Sequence, residues 1–358
     1  SDSPETLNEK TDWGTIIRTP YFPTMANRLM LRFGNSKFKI IRKIISAYYE
    51  LFQFIFFIGP KAQIYFEADK FLKENSVDLI IATGDPFILF RYSSVLSKKY
   101  KISWIADYRD LWSQVKTKGF QSYINRLNSF FEKKYLKNVS GIITVSDFLK
   151  KKLSLIVSNK IIHIINNGYN PEDISQAIGI DQNKNQLEIA YAGTIYNWHP
   201  IESFLKVCLF FLKKTPTPEF KINFYGINIQ GELESLIDRE YKEIKPFVNF
   251  HPKKPNSELV KDLASQNLFL LFNDYCYIGT KIYNYIALNR TILLCYVSDS
   301  EAKKLKEKYY NIQPIELNDQ NEQAKLIDET NSGISVKDEA HLLKLLNELY
   351  NEFLEKRF

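Results

Sequence analysis

Short apolar runs alternate with amphipathic stretches along most of the chain. In the first half the runs Thr15–Arg18, Asp78–Ala82, Ser103–Ala106, Gly141–Val145 and Ile161–Ile165 are too short for helices and are bounded by turn residues, so they predict strands. Helical spacing of apolar residues predicts helices over Ala62–Glu74, Phe87–Lys99, Tyr123–Lys137 and Asp147–Leu155. The run Asn166, Asn167, Gly168, Tyr169, Asn170, Pro171 is a breaker cluster, and the chain stays polar from there to Asn185. The rhythm then restarts, with strands expected at Leu187–Tyr191, Lys221–Phe224, Val248–Phe250, Leu268–Phe272 and Thr291–Tyr296. Helices are expected over Ile201–Phe211, Gly231–Tyr241, Asn256–Ser265, Lys281–Ala287 and Ser300–Tyr309, and His341–Lys356 reads as a final amphipathic helix. Strand–helix alternation of this kind predicts an α/β fold with parallel sheets. We expect two Rossmann-like domains, 1–172 and 186–338, facing each other across a cleft, followed by a helix at 339–358.

One stretch breaks the pattern. From Phe38 to Ile58, apolar residues at Ile41, Ile44, Ile45, Tyr48, Phe52 and Ile55 recur at helical spacing, opposite a narrow polar stripe of Arg42, Ser46, Glu50 and Gln53. Those interruptions argue against a spanning helix. Two readings remain. The segment is either a domain helix buried on most of its surface, the one we favour, or a helix lying in a membrane interface with Lys37, Lys39, Arg42 and Lys43 toward anionic headgroups.

Composition narrows the functional classes. With 358 residues, 45% hydrophobic, and only 13 Gly and 13 Pro, the chain can bury two cores, and neither disorder nor a repetitive fibre fits. The net charge of +7 is mild for this length and is not gathered into a basic stripe interleaved with aromatics, so no nucleic-acid partner is expected. Cys208, Cys276 and Cys295 form no CxxC pair and read as reduced thiols of a cytosolic protein. The four histidines make no HExxH or close pair, and neither GxxxxGK[ST] nor GxGxxG occurs, so no metal or cofactor is expected. No GxSxG nucleophile elbow is present either.

In open α/β sheets ligands meet the carboxyl ends of strands, which makes the residues after each strand the candidates. Thr83, Gly84 and Asp85 precede a helix whose N-terminal amides can meet an anion or a hydroxyl. In the stretch Asp107, Tyr108, Arg109, Asp110, two carboxylates flank a guanidinium, which can position a hydroxyl and accept its proton; a salt-bridged structural loop is the alternative. In the second half Gly193 and Thr194, Gly226, then His251 and Lys253 follow successive strands, and Gly279, Thr280 and Lys281 open a helix. Small residues, a hydroxyl and a lysine at a helix N-terminus suit a phosphate, and the repetition on successive strand ends points to a nucleotide-diphosphate site.

The segments DLIIATGDPF, ISWIADYRDLW, SGIITVSDFLKKKL, IINNGYNPED, IAYAGTIYN and GTKIYNYIALNRTILL, in that order, resemble a bacterial two-Rossmann glycosyltransferase of the GT-B type, similar to glycosyltransferase family 4. The resemblance covers about Asp78 to Ser298. It implies an enzyme that passes a sugar from a nucleotide-diphospho-sugar to a glycan or lipid-linked saccharide, with the donor on the second domain and the acceptor on the first. It further implies that the last helix crosses back onto the first domain, that Asp107–Trp112 lies beside the reacting sugar, and that the Lys281–Ala287 helix lies beside the phosphates and ribose. Three departures stand out. The first strand of the N-terminal domain and its glycine-rich loop are not evident. The two glutamates usual in the family, seven residues apart, are matched by Cys276 and Asn284. Tyr196, Asn197 and His199 stand where an arginine and a lysine usually hold the diphosphate. Lys281 is left as the best cation, and Asn284 can still reach a ribose hydroxyl. These departures keep two further readings open: a subunit of the same fold that binds without turnover, and a sugar-nucleotide epimerase. A peripheral membrane contact through 38–58 would suit a lipid-linked acceptor.

Overall fold

The computed structural model describes residues 5–114, 120–157, 159–275, 278–310 and 321–357. The chain divides into two units, Ser1–Ile165 and Asn166–Phe358. The first opens with an antiparallel hairpin, β1 (Leu7–Thr11) and β2 (Gly14–Arg18), followed by helices α1 (Met25–Phe33), α2 (Lys39–Phe52) and α3 (Ala62–Glu74). Its sheet is parallel in the order β3-β4-β5-β6, from Leu79–Gly84, Ser103–Tyr108, Gly141–Thr144 and Ile162–Ile164. Helices α4 (Ile88–Tyr100), α5 (Phe120–Leu136) and α6 (Asp147–Ser154) connect the strands. Phe90, Trp104, Tyr108 and Trp112 dominate a strongly aromatic core.

The expectation that 38–58 is largely buried is overturned, because α2 contains no buried residue. What anchors this region lies just beyond it. Phe54 is buried, and Arg91 on α4 donates to the carbonyls of Gln53, Ile55 and Phe56 at 2.7–2.8 Å while its guanidinium lies 3.9 Å above the Phe57 ring. A buried arginine spent on three main-chain oxygens holds the chain after α2 to the core and leaves the helix itself standing out.

The second unit holds six parallel strands: β7 (Leu187–Ala192), β8 (Phe220–Tyr225), β9 (Val248–His251), β10 (Leu268–Phe272), β11 (Thr291–Cys295) and β12 (Gly333–Val336). Their order is β12-β11-β10-β7-β8-β9. Every residue of β7 and β10 is buried, which is why β10, and β7 apart from Glu188, read as apolar runs with no alternation. Around the sheet lie α7 (Pro171–Ser175), α8 (Ile201–Lys214), α9 (Gln230–Glu240), α10 (Asn256–Ala264), α11 (Lys281–Leu288), α12 (Ser300–Tyr310), α13 (Glu322–Thr330) and α14 (Glu339–Lys356).

Two boundaries differ from expectation. The polar stretch after Ile165 belongs to the second unit, because Ile174, Ala177 and Ile180 pack into its core. The last helix, expected on the first domain, puts Leu342, Leu345, Leu346, Tyr350 and Phe353 into the core of the second unit. No helix among the described residues is long and apolar enough to cross a membrane.

Candidate functional site

Numbered within the second unit, the strand order is 6-5-4-1-2-3, and the chain reverses direction across the sheet between β7 and β10. That reversal opens a crevice at the strand carboxyl ends, where ligands of doubly wound sheets sit. A cavity of about 350 Å³ lies there, lined among others by Gly193, Thr194, Asp274, Thr280, Lys281 and Asn284. Gly193 has φ of +91°, a conformation glycine adopts without strain, and a Cβ built on it would approach the Lys281 Nζ at 3.8 Å. Lys281 enters at the first turn of α11. Its Nζ donates to the Tyr191 hydroxyl at 2.8 Å and lies 4.1 Å above that ring. Burial pushes the Lys281 ammonium down to about 8, with Asp274 opposing the shift.

Beside Lys281 is an ionic cluster that the sequence did not announce. Asp274 follows β10 and accepts from Lys306 Nζ at 2.5 Å, Trp198 Nε1 at 2.9 Å and His199 Nε2 at 3.4 Å. Burial resists ionisation of Asp274, but the Lys306 charge and the bonds from His199 and Lys306 outweigh it and hold the carboxyl well below its usual range. For His199 burial wins, and its imidazole is pushed down toward the neutral form. Tyr196 stacks on Trp198 with ring centres 4.6 Å apart, presenting a flat aromatic wall to the cavity.

Not every candidate on this sheet joins the cavity. Gly226, His251 and Lys253 gather one strand further on. Gly226 sits at φ +57° beneath Lys253, and His251 stacks on Tyr225 at 4.3 Å and meets Asn223 Oδ1 at 3.1 Å. None of the three lines the cavity. Asn284 does, and its amide donates to Asn256 Oδ1 at 3.0 Å. Cys276 and Tyr277 lie outside the described residues.

In the first unit Thr83 and Asp107 are register partners on β3 and β4. Asp107 Oδ2 accepts from Thr83 Oγ1 at 3.1 Å and from Arg109 Nε at 3.0 Å, while its buried Oδ1 has no partner. Asp110 is exposed. The geometry therefore separates the two carboxylates: Asp107 is fixed inside the unit, and Asp110 stands at the surface. Gly84 lies against the Phe87 and Phe90 rings, where a Cβ would meet Phe87 at 2.6 Å. Asp85, with Glu50, Lys61, Asn128 and the stacked pair Phe87 and Trp112, lines a separate cavity of about 270 Å³. Beneath the loop after β4, buried Glu132 accepts from Tyr108 at 2.8 Å, from Gln114 at 2.9 Å and from Ser113. Burial raises the Glu132 carboxyl above its usual range against these bonds.

No family model matches the sequence. A glutamine–tRNA ligase from Buchnera aphidicola is 27% identical over 177 residues, 45% of this chain, and the chain spans 29% of that protein's length. Likeness in structure extends further. A sucrose-phosphate synthase from Thermosynechococcus elongatus superimposes with a TM-score of 0.54 at 11% identity, covering 99% of this chain and 86% of that one. An alpha,alpha-trehalose 6-phosphate synthase from Burkholderia multivorans gives 0.53 at 9% identity, covering 99% and 88%. Both are GT-B glycosyltransferases, and the fold here is theirs: two Rossmann-like units. These identities establish the fold; the likeness to family 4 rests on the sequence motifs alone.

Sequence reasoning singled out Gly193, Gly279 and Lys281, which the fold brings to one cavity, because turns and helix starts are local signals. It missed Asp274, Lys306 and Glu132, which carry no local motif. The one available hint was a lysine four residues after Ala302 on the same face of α12, where Lys306 is 1% exposed. Among the described residues, no group of three or more His, Cys, Asp or Glu is arranged to hold a metal.

Proposed function

We propose that the chain is a glycosyltransferase that moves a sugar from a nucleotide-diphospho-sugar to a glycan or lipid-linked saccharide, in cell-surface polysaccharide or glycoconjugate synthesis. The observation that carries this reading is the cavity at the β7–β10 reversal, with Lys281 half-buried at its wall and the start of α11 beside it. A lysine depressed by burial gains most from a bound anion, and the α11 amides add to the positive field. In the reaction the bond from the anomeric carbon to the diphosphate oxygen breaks, and an acceptor oxygen takes its place on that carbon. Lys281 and the amides at Gly279 and Thr280 would neutralise the charge that collects on the departing diphosphate. Asp110, exposed just beyond β4, would orient the acceptor hydroxyl and take the proton, while buried Asp107, bonded to Thr83 and Arg109, holds the loop that presents it. Asn284 would bind a ribose hydroxyl, and the Tyr196–Trp198 wall offers a surface against which the donor can pack.

A second reading keeps the binding and removes the turnover. It is favoured by the pairing of Asn284 with Asn256, two amides where a carboxylate would do ionic work. A sugar-nucleotide epimerase on the same fold is the third. Incubation with a panel of nucleotide sugars, with and without saccharide acceptors, separates them. Release of nucleoside diphosphate that Asp110→Asn abolishes without weakening donor binding supports transfer. Binding with no release gives the non-catalytic subunit, and conversion of the sugar without any acceptor gives the epimerase. The lipid-linked acceptor would bring the chain to the cytosolic face of a membrane.

A further inference from the structure

The net charge of the chain is unevenly placed. Between Met25 and Phe52 stand Arg28, Arg32, Lys37, Lys39, Arg42 and Lys43 against Glu50 alone, a local charge of +5 within a chain total of +7. The same segment forms the α1–α2 hairpin and carries the largest run of exposed apolar side chains in the first unit. Ile40 is 75% exposed and Ile44 64%, and Ile41, Tyr48 and Phe52 are exposed as well. At 100° per residue, Ile40, Ile41, Ile44, Ile45, Tyr48 and Phe52 fall within an arc of about 140°, and Arg42 and Lys43 stand about 60° beyond its two edges.

We propose that the α1–α2 hairpin is a docking surface for an anionic lipid bilayer, with the apolar arc of α2 seated among the acyl chains and the cations at its edges among the headgroups. The proposal rests on the membrane placement in the transferase reading and names the surface that makes the contact; its test needs no nucleotide, so either can fail without the other. The chemistry favours lipid as the occupant. A protein partner covering this arc would have to meet apolar surface and a dense cationic rim together, whereas an anionic bilayer offers hydrocarbon beneath a negative layer in one surface. Lysine stems can lie along the apolar arc while their ammonium groups reach outward. The turn joining the helices, Gly34-Asn35-Ser36-Lys37, is polar, so the hairpin lies along the membrane plane and does not enter tip first. It is also braced for that role. Arg42 donates to the Asn35 carbonyl at 2.8 Å and to its side chain at 3.0 Å, and Arg91 fixes the chain just past α2. The arc is thereby held on a rigid base, which lowers the ordering cost of binding.

Co-sedimentation of the full chain with phosphatidylcholine vesicles, and with vesicles containing about one third phosphatidylglycerol, tests this. The expected result is binding to the anionic vesicles alone, weakening as salt rises. Each lysine near the surface is worth about fivefold in partitioning, so Lys39→Gln with Lys43→Gln should cost about 25-fold. Ile40→Glu with Ile44→Glu should abolish binding at any salt. All four positions are exposed, so the melting temperature of either variant should match that of the parent. Three results would overturn the proposal: no binding to anionic vesicles, equal binding to both kinds, or a stable dimer that Ile44→Glu dissolves while vesicles are ignored. The last would give the face to a second copy of the chain.

Discussion

Replacing Lys281 with methionine should move stability and ligand affinity in opposite directions. Burial holds the Lys281 ammonium at about 8 against an ordinary 10.5, so keeping it charged in the empty cavity at pH 7 costs roughly 3 kcal/mol. Methionine removes that cost and fills much of the same volume. It also removes the 2.8 Å bond to the Tyr191 hydroxyl and the cation above that ring, together about 2 kcal/mol. The empty second unit should therefore gain about 1 kcal/mol, raising its melting temperature by roughly 2–4 °C in scanning calorimetry. Nucleoside diphosphate affinity should fall about 10- to 150-fold, the worth of a charged hydrogen bond at 1.5–3 kcal/mol. A group that loses stability on its own account and regains it only with ligand is the signature of a site poised for an anion. If Lys281→Met destabilises the empty protein and leaves nucleotide affinity within twofold, the lysine is a structural strut and the argument fails.

Three further outcomes follow from the same geometry. Nucleotide binding should be nearly independent of pH below 8 and weaken by up to tenfold per pH unit above it, with proton uptake visible in titration calorimetry across buffers. Between pH 8 and 10.5 the unfolded chain binds the extra proton, so the empty protein itself should gain stability as pH rises, and Lys281→Met should flatten both trends. Asp274→Asn should cost about 3–5 kcal/mol in urea denaturation, because it leaves the 1% exposed Lys306 charged without its carboxylate. Asp274 is depressed in the fold, so its contribution is present above pH 4 and is lost as pH falls further; an acid-unfolding midpoint unchanged in the variant would contradict this. Gly333→Ala should cost about 1–3 kcal/mol, since a Cβ there would stand 2.2 Å from the Ile292 carbonyl and push β12 off β11; an unchanged melting temperature would refute it.

The alternation of β7, β8, β9, β10 and β11 with their helices was legible because each strand is a short, apolar-rich run cut off by turn residues. The order of those strands was not, since pairing across 80 residues leaves no local trace, and the cavity exists only because β10 lies beside β7. For the same reason Gly193 and Lys281 could be singled out as candidates while Asp274 could not: a glycine turn and a helix-start lysine are patterns, whereas the Asp274 carboxylate is defined by partners at Trp198 and Lys306. His251 and Lys253 are the opposite case, singled out by sequence yet absent from the cavity wall. Their position after a strand qualified them, but β9 is the edge strand, two places from the reversal. The α2 segment misled in another way. Its apolar face has the period of a buried helix, and periodicity says that a face is covered without saying by what.

The central claim is that the β7–β10 cavity receives a nucleoside diphosphate. Scanning calorimetry of the full chain against UDP, GDP, ADP, CMP and dTDP, each repeated on Lys281→Met, tests it most directly. One nucleotide at about 100 times its Kd should add about 2.7 kcal/mol to the second unit, raising its transition by roughly 5–10 °C, and that shift should shrink sharply in the variant. No shift with any nucleotide at millimolar concentration, or a shift that Lys281→Met leaves intact, would contradict the account.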